Sequence, residues 1–196
     1  MQIPYCSACG AATHITVPAG DNRQRAVCGT CGIVHYVNPK VVCGCLLTCG
    51  DDILLAKRGI EPRLGYWTIP AGFMETGETT LEAAVRECDE EALAQPIDPT
   101  LYGLITLPRI SQVYVMYRGE VAPGAFGVGD ESTDIRLFAE DELPWDELSF
   151  PIVEYTLRRF VAERRAGSFG VFDINMRVRP GEPLPDELIH GLVNER

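Results

Sequence analysis

From Leu81 apolar residues recur at three- and four-residue spacing, through Ala84, Val85 and Cys88 to Ala92, which predicts a helix over 80–94. Pro96 stops that pattern. Upstream, "VVCGCLLT" (41–48) and "ILLAKR" (53–58) are strand-like runs joined by a turn at "CGDD", and "GYWTIPAGF" (65–73) reads as a short strand entering a loop. Downstream, "LYGLITL" (101–107), "SQVYVMYRGEV" (111–121) and "DIRLFA" (134–139) are predicted strands. A second helix is predicted over 151–166, with Pro151 in its first turn and Gly167 past its end. The segment from 168 carries Pro180, Pro183 and Pro185, and no regular structure is predicted for it. Residues 1–36 are turn-rich, and Pro39 disfavours helix at Asn38, so 36–40 reads as a hinge. The expected organisation is a small module at 1–36, a main domain at 37–167 and a tail at 168–196. Mixed strands with one helix between them and one after predict an α/β (α+β) sandwich.

Composition narrows this picture only a little. Of 196 residues, 46 % are hydrophobic and 23 % charged, which suits a globular chain. No apolar run reaches the roughly 18 residues of a membrane span. The start "MQIPYC" has neither a basic segment nor an apolar one, so the cytoplasm is the expected compartment. Charge changes more. A formal net charge of −11 without a basic patch argues against nucleic acid as a partner. It would repel small anions too, unless a bound cation stands between.

Four of the eight cysteines form two pairs, Cys6-x-x-Cys9 and Cys28-Gly-Thr-Cys31, separated by 18 residues. Two residues between thiolates let one turn offer both sulfurs to a single metal, and two such turns complete a tetrahedral zinc shell. A module this small lacks an adequate core, so the metal would act as a staple. With four sulfurs in the shell, His14 and His35 are expected to be surface or packing residues. Cys43, Cys45, Cys49 and Cys88 are expected to be small buried hydrophobes.

The predicted helix carries "RECDEEALA" (86–94), in which Glu87 neighbours Glu90 and Glu91 on one face. Like charges at that spacing cost about 0.2–0.5 kcal/mol per pair on an exposed helix. One reading is a solvated face in which Arg86 pairs with Glu82. The other is a cradle for a hard divalent cation, which turns repulsion into coordination. The longer stretch "GFMETGETTLEAAVRECDEEALA" (72–94) decides between them, because it resembles the Nudix box, G-x5-E-x7-R-E-U-x-E-E-x-G-U with U aliphatic. Gly72, Glu78, Arg86, Glu87, Glu90 and Glu91 match. Leu93 stands where the family has glycine, so the helix is expected to run on to Pro96.

The resemblance implies a Nudix α/β/α sandwich behind a small zinc ribbon, and hydrolysis of a nucleoside diphosphate derivative. It implies two or three Mg2+ or Mn2+ ions held by Glu87, Glu90, Glu91 and the carbonyl of Ala71. A later loop would add Glu131, with Asp134 the alternative. Glu78 and Arg86 would pair to fix the loop against the helix, and Glu90, Glu87 or a loop carboxylate would activate water. Arg58 is a candidate phosphate contact or a plain surface arginine. Gln112 and Tyr114 are candidates for meeting a base or flavin, with a core tyrosine the equal alternative, and Trp67 and Phe73 are expected to pack. Ribbon-bearing relatives include NADH pyrophosphatases, whose S-Q-P-W-P-F-P-x-S stretch is here "ISQVYVMYRG", without the prolines. The flow "NPK-x-V-x-G … KR … RLFA-x-DE-x-P-x-D" is more similar to the FAD/ADP-ribose pyrophosphatase of plant chloroplasts. The resemblance thus implies a FAD or ADP-ribose substrate, release of AMP and a homodimer. NADH is the alternative substrate, and a non-catalytic nucleotide-sensing regulator that binds nucleic acid is a second alternative.

Overall fold

In a computed structural model the chain divides into two compact units, Met1–Pro39 and Lys40–Arg196. Residues 3–185 and 188 are described, so the tail expectation for 186–196 lies, apart from Leu188, outside the described residues.

The first unit is a three-stranded antiparallel sheet, β1 (Thr13–Thr16), β2 (Arg25–Cys28) and β3 (Val34–His35), in that order. Sequence patterning did not anticipate these strands, which are two to four residues long. Two matching turns carry the cysteines. Gly10 at φ +73° donates its N–H to the Cys6 carbonyl, and Gly32 at φ +74° donates to that of Cys28. Both turns need the left-handed region that glycine enters without cost.

The second unit is built on a mixed sheet ordered β10-β5-β4-β9-β8-β11, with two short strands beside it. In chain order its strands are β4 (Lys40–Cys49), β5 (Asp52–Arg58), β6 (Trp67–Thr68), β7 (Ala71–Phe73), β8 (Ile97–Leu107), β9 (Gln112–Glu120), β10 (Ser132–Phe138) and β11 (Phe172–Asn175). Its two long α-helices among the described residues are α1 (Thr80–Ala92) and α2 (Pro151–Ala166). Strand β4 runs parallel to β9 and antiparallel to β5 and β7; β7 thus lies alongside the end of β4 that β5 does not reach. Successive side chains of a strand point to opposite faces. Cys43, Cys45 and Leu47 therefore meet Ala83, Ala84, Cys88 and Ala92 of α1. Leu46, with Ile53, Leu55, Ile105 and Met116, packs under Ile152, Val153, Leu157 and Phe160 of α2. Fully burying such an aliphatic side chain contributes about 1.5–3 kcal/mol. The layers are helix, sheet, helix, the sandwich expected from the alternation of elements. Among the described residues no helix is long and apolar enough to cross a membrane.

Several expectations need correction. Helix α1 ends at Ala92 and does not reach Pro96, because Leu93 adopts a left-handed conformation, φ +46° and ψ +34°. Its N–H closes on the Asp89 carbonyl and the N–H of Ala94 on that of Cys88. The buried face of α1 is also rotated: Leu81 is exposed, whereas Glu87 and Glu91 are buried beside Ala84, Cys88 and Ala92. Cys49, at the end of β4, is only partly buried, unlike Cys43, Cys45 and Cys88. The tail is not structureless throughout. Strand β11 adds to β8 in parallel, pairing Phe172 with Gly103. A Cβ on Gly103 would lie 2.3 Å from the Phe172 ring, so the glycine opens the place that Phe172 fills. That ring packs edge-on against Tyr102 and Tyr155.

Candidate active site

Strand β7 and helix α1 meet residue by residue. The Ala71 N–H donates to Glu91 Oε2 (3.1 Å), and the Phe73 carbonyl accepts from Arg86 Nη2 (3.0 Å). Between them, a Cβ on Gly72 would lie 2.2–2.4 Å from the Glu87 carboxylate. Only glycine lets β7 lie that close to the acidic face of the helix.

Arg86 spends all five of its N–H groups. Nε and Nη2 take the two oxygens of Glu78 (3.1 and 2.8 Å), Nη1 takes Glu87 Oε1 (2.8 Å) and Glu90 Oε2 (2.9 Å), and the remaining donor is the one on Phe73. One guanidinium thus ties the loop before the helix, strand β7 and two helix carboxylates together. Its hydrogen bonds, with the Glu75 N–H beside them, hold the Glu78 carboxyl down at about 2. Glu82 does not pair with Arg86 as the solvated-face reading required. It closes a capping box, its carboxylate accepting the Thr79 N–H while Thr79 Oγ1 accepts the Glu82 N–H.

Glu87 and Glu91 sit in a costly place. Burial, opposed by the Ala71 N–H and reinforced by the neighbouring Glu87, pushes the Glu91 carboxyl up to about 8. Burial pushes Glu87 up as well, against the pull of Arg86. The Glu131 charge adds to both shifts. Glu90, by contrast, has a side chain 52 % exposed.

Glu131 reaches this neighbourhood on the segment between β9 and β10, and its backbone carbonyl accepts the Gly59 N–H (2.7 Å). Asp134 is held elsewhere, on β10 beside Lys57, in an ion pair with Arg136 (2.7 Å). Arg58 ends β5 with Nε on the Pro62 carbonyl, and its charge is felt at both Glu91 and Tyr114. Tyr114 packs on the α2 side of the sheet between Val42 and Ile105, and burial raises its phenol. Gln112, partly buried, begins β9 between Lys40 and Leu107. Trp67 is buried against Phe138 as a packing residue. Phe73 is not: it is 45 % exposed, with the Lys40 ammonium 4.6 Å above its ring. Residues that patterning missed are Gly59, which carries no sequence signal of its own, and Gly127 and Gly129, whose signal was the glycine density of "GAFGVGDE" (124–131).

Among the described residues, the His, Cys, Asp and Glu group whose ligand atoms all lie within 4.8 Å of one another is Cys6, Cys9, Cys28 and Cys31. Sulfur separations of 3.5–3.6 Å approach the edge, about 3.8 Å, of a tetrahedron with zinc–sulfur bonds of about 2.3 Å. The Cys28 sulfur also accepts the N–H groups of Thr30 and Cys31. Backbone N–H donation, that of Ala8 first, draws the Cys6 thiol down to about 6. These sulfurs fit a tetrahedral metal. The carboxylates fit hard cations differently: their oxygens are the right donors, Gly72 leaves Glu87 room, and Arg86 bridges Glu87 and Glu90.

Comparison with known proteins identifies the family. The "NUDIX domain" family model matches residues 38–159, and the zinc-ribbon model described as "Nudix N-terminal" matches residues 4–37. This chain belongs to the Nudix family. The crystal structure of a NUDIX hydrolase from Nitrosomonas europaea superposes on the Nudix chain with a TM-score of 0.83, at 41 % identity over 89 % of this chain and 100 % of that one. An ADP-ribose pyrophosphatase of Methanocaldococcus jannaschii is 32 % identical over 56 % of the chain and 67 % of its own length. An NAD-capped RNA hydrolase NudC of Stutzerimonas stutzeri is 28 % identical over 83 % of the chain. The Nudix chain spans 58 % of the length of that last relative.

Proposed function

We propose that the second unit hydrolyses the pyrophosphate bond of a nucleoside diphosphate derivative, with ADP-ribose or FAD as the substrate. The observation that carries this reading is the seating of Glu87 and Glu91, buried beneath Gly72 and Ala71 with the Glu131 charge nearby. Buried carboxylates that repel one another are retained at a loss of stability, and a site for cations accounts for the loss. Glu87, Glu90, Glu91, Glu131 and the Ala71 carbonyl would hold two or three Mg2+ or Mn2+ ions. Such ions, when bound, neutralise the diphosphate and acidify the attacking water.

The rest of the work falls to the chain. Arg86 and Glu78 keep the acidic face of α1 against β7. Arg58 offers a guanidinium to a phosphate oxygen. Glu90, Glu87 or Glu131 takes the proton of the water as its oxygen attacks phosphorus. The bond to the bridging oxygen breaks, giving AMP and ribose 5-phosphate from ADP-ribose, or AMP and FMN from FAD. Tyr114 and Gln112 would meet the base or flavin. In the first unit, one zinc ion on Cys6, Cys9, Cys28 and Cys31 has a structural role.

ADP-ribose is supported by the relative named for that activity, and FAD by the sequence flow around "NPK" and "RLFA". NADH is a second reading, supported by the NudC relative and opposed by the missing prolines after Ser111-Gln112. The test is a panel of ADP-ribose, FAD, NADH, NAD, diadenosine polyphosphates and CoA with Mg2+ and Mn2+, followed by AMP release. ADP-ribose and FAD are expected to be cleaved. Cleavage of NADH alone overturns the substrate assignment, and cleavage of none overturns the hydrolase reading.

A further inference from the structure

A helix leaves its last carbonyls without partners inside the helix. In α1 those of Glu90, Glu91 and Ala92 are taken by the loop that follows β9. Gly127 N–H donates to the Ala92 carbonyl (2.8 Å), Gly129 N–H to Glu91 (3.2 Å) and Asp130 N–H to Glu90 (3.2 Å). Two of the three acceptors are thus the backbones of glutamates whose side chains form the acidic face. Contact is close enough to forbid a side chain at one point. A Cβ on Gly129 would lie 1.9 Å from the Glu90 carbonyl oxygen and 2.7 Å from the Glu90 and Glu91 carbonyl carbons, all rigid backbone. Gly127 faces Leu93, whose Cδ1 would be 3.4 Å from a Cβ there. The leucine at the helix end, which replaces the glycine of the family motif, is therefore opposed by a glycine on the loop.

The same loop is pinned on its other side. The Glu131 carbonyl accepts the N–H of Gly59, the residue after Arg58, and a Cβ on Gly59 would meet that carbonyl oxygen at 2.9 Å. Glu131 is consequently bracketed by backbone contacts to the end of α1 and to the strand that carries Arg58.

We infer that Gly127, Gly129 and Asp130 form a backbone clasp that positions the Glu131 carboxylate against Glu87, Glu90 and Glu91. Gly129 is the positioning residue on which the clasp turns. This inference rests on the hydrolase reading above and deepens it: the fourth carboxylate is located by main-chain bonds to the helix that carries the other three, so loop and helix move as one body. Without the clasp the loop would still join two strands, but Glu131 would lose its register on the metal-binding face.

The experiment compares wild-type protein with Gly129→Ala and Glu131→Gln on whichever substrate of the panel is cleaved. Gly129→Ala is expected to lower kcat about 100-fold with KM little changed, as an ångström-scale misplacement does. It is also expected to raise the Mn2+ concentration for half-maximal rate about tenfold, as loss of a supporting contact does at metal sites. Glu131→Gln is expected to lower kcat comparably. A low rate in Glu131→Gln with a wild-type rate and Mn2+ requirement in Gly129→Ala overturns the clasp and leaves the hydrolase reading intact. A wild-type rate in Glu131→Gln overturns it as well, because nothing would then need positioning. If Gly129→Ala fails to fold, Asp130→Pro removes the donor to Glu90 and is expected to show the same kcat loss. Amide exchange by NMR in the wild-type protein tests the clasp without any variant. The N–H groups of Gly127, Gly129 and Asp130 are expected to be protected, and exchange at the rate of an unstructured peptide overturns the inference even if no substrate is found.

Discussion

Holding Glu91 in its buried place has a cost that pH exposes. Its carboxyl ionises near 4.5 in an unfolded chain and near 8 in the folded one, because burial and the neighbouring Glu87 disfavour its charge. Between those values the folded state keeps a proton that the unfolded state has released. Stability therefore falls as pH rises through that window and levels off above it. Each pH unit of the window is worth about 1.4 kcal/mol, so the whole amounts to on the order of 4–5 kcal/mol at the upper limit. Glu78 does not blur the effect, since its carboxyl, held down at about 2, is ionised throughout the window. For a unit of this size the loss corresponds to a fall in Tm on the order of 10 °C between pH 5 and 8. Trp67 and Trp145, the protein's two tryptophans, both lie in the second unit, so their fluorescence follows its melting alone. The assay is a series of fluorescence melts of protein freed of Mg2+ and Mn2+, with zinc retained. Glu91→Gln should make the profile markedly shallower, the raised Glu87 carboxyl keeping part of the slope, and millimolar Mg2+ should restore Tm at pH 8. A flat profile in the wild-type protein, or an equally steep one in Glu91→Gln, refutes the account of Glu91 as a buried carboxylate held against its charge.

Three other outcomes follow from particular contacts. Gly72→Ala places a methyl within 2.4 Å of the Glu87 carboxylate, so substrate turnover should drop about 100-fold while circular dichroism stays native; unchanged turnover removes Glu87 from the site. Cys28→Ser takes one sulfur from the four-cysteine shell, and zinc measured by mass spectrometry should fall from one equivalent per chain to well below it. Leu93→Val should destabilise by about 1–2 kcal/mol, since a β-branched residue tolerates the left-handed region worse than leucine. A helix running through position 93 would instead leave the melt almost unmoved.

How much of this was legible in the chain depended on whether a residue acts through chemistry or through local backbone. The carboxylates, Arg86 and the four cysteines carry side chains whose type and spacing point to the cations proposed for them, and the alternation of elements was enough to call for a sandwich. Strand β11 escaped because its evidence is a contact across 69 residues, a glycine at 103 opening the place for Phe172. The rotated face of α1 escaped for a related reason. Patterning puts Leu81 inside and glutamates outside, and only β7, lying close enough for Gly72 to touch Glu87, reverses that assignment. Leu93 is the sharpest case. At that position the family motif has glycine, the residue that enters the left-handed region most freely, and this chain enters that region with leucine instead. The left-handed turn costs leucine about 1 kcal/mol more than glycine, and the chain meets that cost because three helix-end carbonyls then face the loop that carries Glu131. A reading that takes the substitution as a longer helix treats the helix end as a property of its own sequence. Here it is set by what lies opposite: were α1 to continue past Ala92, the N–H groups of Ala94 and Gln95 would take up the Glu90 and Glu91 carbonyls that now bind Asp130 and Gly129, and Glu131 would keep only its bond from Gly59.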